Sequence, residues 1–247
     1  MKEISTFGDG YASSHIWPEW PVILEALLPD YSFTHYGAIG AGNEFIANAV
    51  IQAHLKNPEA YFLVQWAQVN RFDKLIEDST WDDIIAADPT YHFNRVQLAE
   101  NQWWISSVSQ QPTVVNYHKH YVQSKQSKLR MLNYVYLAGN LLRDNALFFS
   151  TMDLNITTDE RKYVTNNWVE KNMRDFSFEP RFSMLRQSQV QPSPIVHMAY
   201  VKEYLLPNLP FTVDSVRLAE LEHRIANHEW VAYDPDRAEI WNKMAAI

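Results

Sequence analysis

The chain has 247 residues, a net charge of −8 and no cysteine. This length suits one large α/β domain, and the missing thiols exclude disulfides and cysteine-based metal sites. The acidic balance argues against a nucleic-acid partner, because the phosphate backbone repels negative charge. We find no signal-peptide apolar region, and no apolar run reaches the roughly 20 residues that cross a bilayer. We therefore expect a non-secreted protein with no membrane partner.

The first part of the chain alternates between strand-like and helix-like segments. A helix is expected to begin near Trp20 and to stop at Pro29, since proline fits only the first turn of a helix. The glycine-rich turn 37–42 precedes a second helix, for which Asn43 is the expected N-cap. Strands are expected at 4–7, 31–36 and 61–66. This order is typical of a doubly wound parallel sheet.

The second part of the chain is less regular. Residues 70–123 show no period and are expected to form an irregular insertion with short helices. Further helices and a fourth strand are then expected, with helices starting near residues 124, 157 and 193 and the strand at 146–152. The pattern indicates one domain over residues 1–210 and a C-terminal helical extension over residues 211–247.

Four short stretches resemble the signature blocks of the SGNH, or GDSL-type, hydrolases. The first is Phe7-Gly8-Asp9-Gly10 after the first strand. The others are the turn Gly40-Ala41-Gly42-Asn43, the segment around Asn70, and residues 191–197. The likeness is greatest to a subgroup common among tailed phages. It implies a three-layer α/β/α, flavodoxin-like fold with a central parallel sheet of about five strands.

The same resemblance implies where a catalytic pocket would lie. The position of the nucleophilic serine is Gly10, that of the catalytic histidine is Gln191, and that of its aspartate partner is Ser188. Nucleophilic hydrolysis needs a hydroxyl, a base and a group that orients the base, and these three residues supply none of them. The resemblance thus implies a vestigial pocket formed by Asp9, Gly10, Gly40, Gly42, Asn43, Asn70, Ser188 and Gln191.

Other hydroxyl and imidazole groups were weighed as replacements. Ser13 or Ser14 could act with His15, but serines before a proline-opened helix are typical of caps and turns. His197 lies on a helix face, which favours a hydrogen-bonded role in the core. A metal site at His118 and His120, with His92 as a third ligand, lacks the spacing that such sites use. We expect no metal and no other cofactor.

These observations favour a catalytically inactive SGNH-like protein that acts as a structural or binding component, such as a part of a tailed-phage virion. Its expected partners are other protein chains, in the virion or in a homo-oligomer, and its expected location is the virion or the cytoplasm of the infected host. Two alternatives remain open. One is an active esterase or carbohydrate deacetylase of altered mechanism, with water activated by Asp9 or by a metal at His118 and His120. The other is a glycan-binding module that uses the vestigial pocket.

Overall fold

The structure is a computed structural model that describes residues 2–14, 17–71, 73–77, 95–99, 102–106, 124–161, 167–185 and 192–228. Its strands are β1 (Lys2–Gly8), β2 (Tyr31–Gly37), β3 (Tyr61–Trp66), β4 (Asp73–Glu77), β5 (Arg95–Ala99), β6 (Gln102–Ser106) and β7 (Ala146–Ser150). Its α-helices are α1 (Trp20–Leu27), α2 (Asn43–Lys56), α3 (Ser124–Leu142), α4 (Thr158–Arg161), α5 (Met173–Ser177), α6 (Pro194–Tyr200) and α7 (Ser215–Asn227). Pro180–Leu185 and Leu206–Asn208 form 3₁₀ turns, and Val201–Leu205 forms a π-helical turn.

Four parallel strands in the order β2-β1-β3-β7 form the central sheet. The register of β1 against β2 runs from Lys2 opposite Tyr31 to Gly8 opposite Gly37. The predicted parallel α/β architecture is therefore confirmed, with four strands in the described part of the sheet. The chain passes from β1 outward to β2 and then back across β1 to β3. A crevice opens at the carboxyl ends of parallel strands where the winding changes direction in this way.

Helices cover both faces of this sheet. Alternate side chains of a strand point to opposite faces of the sheet. The side chains of β3 and β7 therefore enter two separate core clusters, one on each face. One cluster contains Leu63 and Leu147 and includes side chains of α1, α6 and α7. The other contains Val64 and Phe148 and includes side chains of α2 and α3. This burial on both sides explains why β3 and β7 are almost continuously apolar.

Within the segment 70–123, the three described strands form the antiparallel sheet β4-β6-β5, which was not expected. Most of the segment, and with it the expectation of short helices, lies outside the described residues. Trp103, Trp104 and Ile105 are residue types that favour strands. Strands of only five residues are too short for their two-residue period to be visible among the scattered Asp and Pro residues of this segment.

The later helices also correct one expectation. The helix that starts near residue 157 was expected to continue to about Met173, but α4 spans only Thr158–Arg161 of the described residues, and Trp168 forms an isolated parallel β-bridge with Phe148. Near the C-terminus, Leu221 and Ile225 of α7 belong to the same core cluster as the side chains of α1 and α6. Within the described ranges, no helix combines the length and apolarity needed to cross a membrane.

Candidate functional site

Asp9 lies directly after β1 and connects the carboxyl ends of three strands. Its side chain is fully buried. Oδ1 accepts hydrogen bonds from the backbone N–H of Tyr11 at 3.0 Å and from Oγ1 of Thr151, which follows β7, at 3.0 Å. Oδ2 lies 3.3 Å from Nη1 of Arg71, which follows β3. Asp9 therefore braces the edge of the sheet, and its charge is compensated inside the protein.

Arg71, rather than Asn70, reaches this site. The backbone N–H of Arg71 donates to the carbonyl of Gln68 at 3.1 Å, which closes a turn with Asn70 exposed at its corner. The guanidinium group of Arg71 is four-fifths buried and also donates from Nη1 to the carbonyl of Ala41 at 3.1 Å. Asn70, which the resemblance places in the vestigial pocket, is thus exposed, because the register of the turn after β3 decides which side chain points inward.

Asn43 was expected to cap α2, but it has another role. The N-cap position is Gly42, which makes no side-chain cap. The buried Asn43 side chain donates from Nδ2 to the carbonyl of Ala67 at 3.1 Å and accepts from the backbone N–H of Ala67 at 2.8 Å. These two bonds hold the first turn of α2 against the chain that leaves β3. Gly40 adopts a left-handed backbone, with φ 73°, in the turn just before it.

The cap of α2 comes from Asp73, the first residue of β4. Its carboxylate accepts from the backbone N–H of Gly42 at 2.7 Å and from that of Phe45 at 2.9 Å. A Cβ atom at Gly42 would lie 2.6 Å from Asp73 Oδ2, so the close approach requires glycine there. No sequence pattern indicated this role, because capping rules consider only residues next to the helix.

Burial dominates the electrostatics of Asp73. Desolvation raises the pKa of this carboxyl from 3.8 to about 7; the two backbone N–H groups oppose that rise, the Glu44 carboxylate adds to it and Arg71 lowers it. The start of a helix is a natural site for an anion, since its N–H groups point outward with a positive dipole. Here the chain itself places a carboxyl group at that site.

A small polar cavity lies between the start of α2, the connection from β3 to β4, and α3. Its volume is about 20 Å³, which is room for one water molecule. Burial first, and then the neighbouring carboxylate of Glu44, raise the pKa of Tyr134 in its wall to about 12. The charged residues of the wall are Glu44, Arg71, Asp73 and Arg130. A cavity of this size is too small for a substrate.

The turn after Gly10 uses the serines that were considered as nucleophiles. Ser13 Oγ donates to the Gly10 carbonyl at 3.1 Å, and Ser14 has a left-handed backbone with φ 53°. The backbone N–H of Ser14 donates to Oε2 of Glu19 at 2.6 Å. Glu19 is fully buried, and burial raises the pKa of its carboxyl well above 4.5. Ser13 serves the turn through its side chain and Ser14 through its backbone, whereas the buried Oγ of Ser14 has no hydrogen-bond partner within the described residues.

His197 is a core residue, but not the hydrogen-bonded one that was expected. It is fully buried on α6, and its ring meets the ring of Tyr11 edge-on, with 6.3 Å between the centroids. Within the described residues, neither ring nitrogen has a hydrogen-bond partner, and the same holds for the buried Oγ of Ser193 at the N-cap of α6. Burial lowers the pKa of His197 to about 3, so the imidazole is neutral at physiological pH.

Several residues that were considered for the vestigial pocket, for catalysis or for a metal site lie outside the part of the chain that the structure describes. They include Ser188 and Gln191, which occupy the aspartate and histidine positions of the resemblance, and His15, His92, His118 and His120. Among the residues that the structure does describe, no three His, Asp or Glu side chains converge as a metal site would require.

Comparison with known proteins adds no assignment. No protein-family model, no curated protein and no solved structure matches the chain. The function is therefore inferred from the residues and their geometry.

Proposed function

We propose that this chain is a non-catalytic protein of SGNH-like, flavodoxin-like architecture that acts as a structural or binding component and has other protein chains as partners. The strand order β2-β1-β3-β7 supports this architecture, since it corresponds to the first four strands of the flavodoxin-like order. The position of Gly10, in the turn after β1, is where the resemblance puts the nucleophile. Glycine has no group that can attack a carbonyl.

The observation that carries the proposal is that the Asp73 carboxyl group accepts hydrogen bonds from the backbone N–H groups of Gly42 and Phe45 at the start of α2. Acyl transfer requires N–H groups that point at the oxygen on which negative charge develops. In the resemblance, the turn at Gly42 supplies such a group. In this chain, the Gly42 N–H is 2.7 Å from Oδ1 of Asp73. A donor that already serves a buried carboxyl group is not available to an oxyanion.

The environment of Asp9 also argues against a water-activating mechanism. A general base must lie within hydrogen-bond reach of the proton that it takes. Asp9 is fully buried, its Oδ1 accepts two hydrogen bonds, and its Oδ2 faces Arg71. The Asp9 side chain is thus buried and paired with a cation, and it does not reach the surface, where a substrate-bound water would lie.

A role in protein contact has its own support on α3. Leu129, Tyr136 and Leu137 are each about half exposed on this helix. Grouped exposure of large apolar side chains is typical of surfaces that contact other proteins. A phage particle, or the cytoplasm of the infected host, is the setting that the sequence resemblance favours for such contacts.

An esterase assay tests the loss of catalysis. The full chain should hydrolyse p-nitrophenyl acetate and p-nitrophenyl butyrate no faster than buffer, and so should the Gly10→Ser variant, because a hydroxyl alone lacks a base and an oxyanion donor. The Ser13→Ala and Ser14→Ala variants are the matched controls. Turnover by the unmodified chain that disappears in either serine variant would overturn the proposal.

A further inference from the structure

The two edges of the central sheet differ in how far they are covered. At one edge, every residue of β7 is buried, and Trp168 forms a parallel β-bridge with Phe148. At the other edge, every residue of β2 remains at least partly accessible. Within the described parts of the chain, β1 is the one strand that pairs with β2. The sheet is thus covered at β7 and open at β2.

The backbone of β2 presents hydrogen-bonding groups along this open edge. The N–H of Ala38, which follows β2, donates to the carbonyl of Gly8 at the end of β1 at 3.1 Å. Alternate residues of a strand direct their N–H and C=O groups to opposite sides, so the backbone groups of the even-numbered residues of β2 face β1. Those of Phe33 and His35 therefore point away from the sheet. Exposed backbone groups of this kind are a template for a further strand.

β2 also lacks the features that protect most edge strands. Short length, a charged side chain, a proline or a bulge keeps an edge from pairing with another chain. β2 spans Tyr31–Gly37 in an unbroken register with β1, and it contains no Asp, Glu, Lys, Arg or Pro. Phe33, Thr34 and Tyr36 are residue types that favour strands. The edge is therefore suited to take up another strand.

We propose that two copies of this chain associate through β2, with the two strands antiparallel about a twofold axis at Thr34. In this register, Phe33 of one copy lies opposite His35 of the other. Both residues direct their backbone groups outward, so they exchange hydrogen bonds as a hydrogen-bonded pair of an antiparallel ladder does. The two central sheets then form one continuous sheet. This inference rests on the proposed role in protein contact and names the partner as a second copy.

The register centred on Thr34 also matches the side chains by size. It places Tyr31 opposite Gly37, and an aromatic ring across from a glycine covers the space that the missing side chain leaves. It likewise places Ser32 opposite Tyr36, a small residue against a large one. Charge permits the contact as well. The chain has a net charge of −8, but β2 carries no Asp, Glu, Lys or Arg, so these like charges do not meet across the axis.

Sedimentation equilibrium of the full chain tests the association. A single pair of strands buries less than the roughly 1,200 Å² of a standard interface, so we expect a weak, reversible dimer. At a concentration of about 100 μM, the mean mass should approach twice the 28.9 kDa of one chain.

Substitutions at Thr34 test whether the axis lies there. Thr34→Lys should weaken the dimer roughly tenfold, because it places two ammonium groups directly opposite each other. Thr34→Val is the matched control for the hydroxyl, which donates to Oε1 of Glu3 at 3.0 Å within one copy. The valine variant should dimerise as the unmodified chain does.

Disulfide formation tests the register. The unmodified chain has no cysteine, so a single introduced thiol reports on its own position alone. Thr34→Cys places two thiols in a directly opposed pair, whose Cβ separation of about 4.5–5.5 Å is close to that of a disulfide. Ser32→Cys is the matched control, because its thiol lies opposite Tyr36 instead of its own copy. Mild oxidation should cross-link Thr34→Cys roughly tenfold faster than Ser32→Cys.

Asn140→Lys separates this edge from the exposed face of α3. It adds the same charge at an exposed position beside Leu137, and it should leave the dimer unchanged. The inference fails if the full chain sediments as a monomer, if Asn140→Lys weakens the dimer as much as Thr34→Lys does, or if the two cysteine variants cross-link equally fast. A monomer without esterase activity would refute the dimer and leave the loss of catalysis standing. Esterase turnover by a dimer would do the reverse.

Discussion

Replacing His197 with leucine tests the state of the buried imidazole on α6. In the native protein the ring is fully buried, and within the described residues neither of its nitrogens has a hydrogen-bond partner. Leucine has a similar volume and no titrating group. It loses the edge-on contact with Tyr11, but it also removes two polar atoms whose burial without partners costs about 1–3 kcal/mol. Near pH 8 we expect the stabilities of the two proteins to differ by no more than about 1 kcal/mol.

The two proteins should diverge in acid. Burial lowers the native pKa of His197 to about 3, from 6.5 when exposed. Between these values the unfolded chain binds more protons than the native protein, so the free energy of unfolding falls as the pH falls. For each pH unit below the pKa of the unfolded chain, the free energy of unfolding falls by about 1.4 kcal/mol. The imidazole of His197 should therefore lower the free energy of unfolding by about 2 kcal/mol between about pH 8 and pH 5.

Urea unfolding followed by tryptophan fluorescence measures this loss. The His197→Leu variant should lack it, so its stability relative to the unmodified chain should rise by about 2 kcal/mol on going from about pH 8 to pH 5. His223→Leu is the matched control, because His223 is exposed on α7. Parallel pH profiles for the unmodified chain and His197→Leu would refute the reasoning, since they would mean that the native imidazole takes up a proton.

Two further substitutions test the contacts around α2 and β2. Asp73→Asn should change the pH dependence of stability in the opposite sense. Burial raises the pKa of Asp73 to about 7. The contribution of the Asp73 carboxyl to the stability of the unmodified chain is therefore lost as the pH rises from about 4 to about 7. Urea unfolding should show the variant gaining about 3 kcal/mol relative to the unmodified chain between about pH 5 and pH 8, and an unchanged difference would contradict this. Gly37→Ala should cost more than about 3 kcal/mol, because its Cβ would lie 1.9 Å from the carbonyl oxygen of Ala12. An unchanged thermal midpoint by circular dichroism would disprove that clash.

Local patterns predicted the elements of the first 66 residues well. The apolar run 61–66 became the buried strand β3, and the prolines near Trp20 and at Pro29 framed α1. These predictions succeeded because burial on two faces and the steric limits of proline act within a few residues. The same reasoning missed β4, β5 and β6, because strands of five residues leave almost no period to detect.

The sequence by itself thus determined a parallel α/β sheet, a glycine turn after β1 and the absence of a side chain at Gly10. Only the tertiary structure decided which polar groups meet at the edge of that sheet. Asp73 caps a helix that begins 30 positions before it, and Thr151 bonds Asp9 across 142 positions. Side-chain partners this far apart are set by how the strands pair, and no pattern along the chain records that pairing.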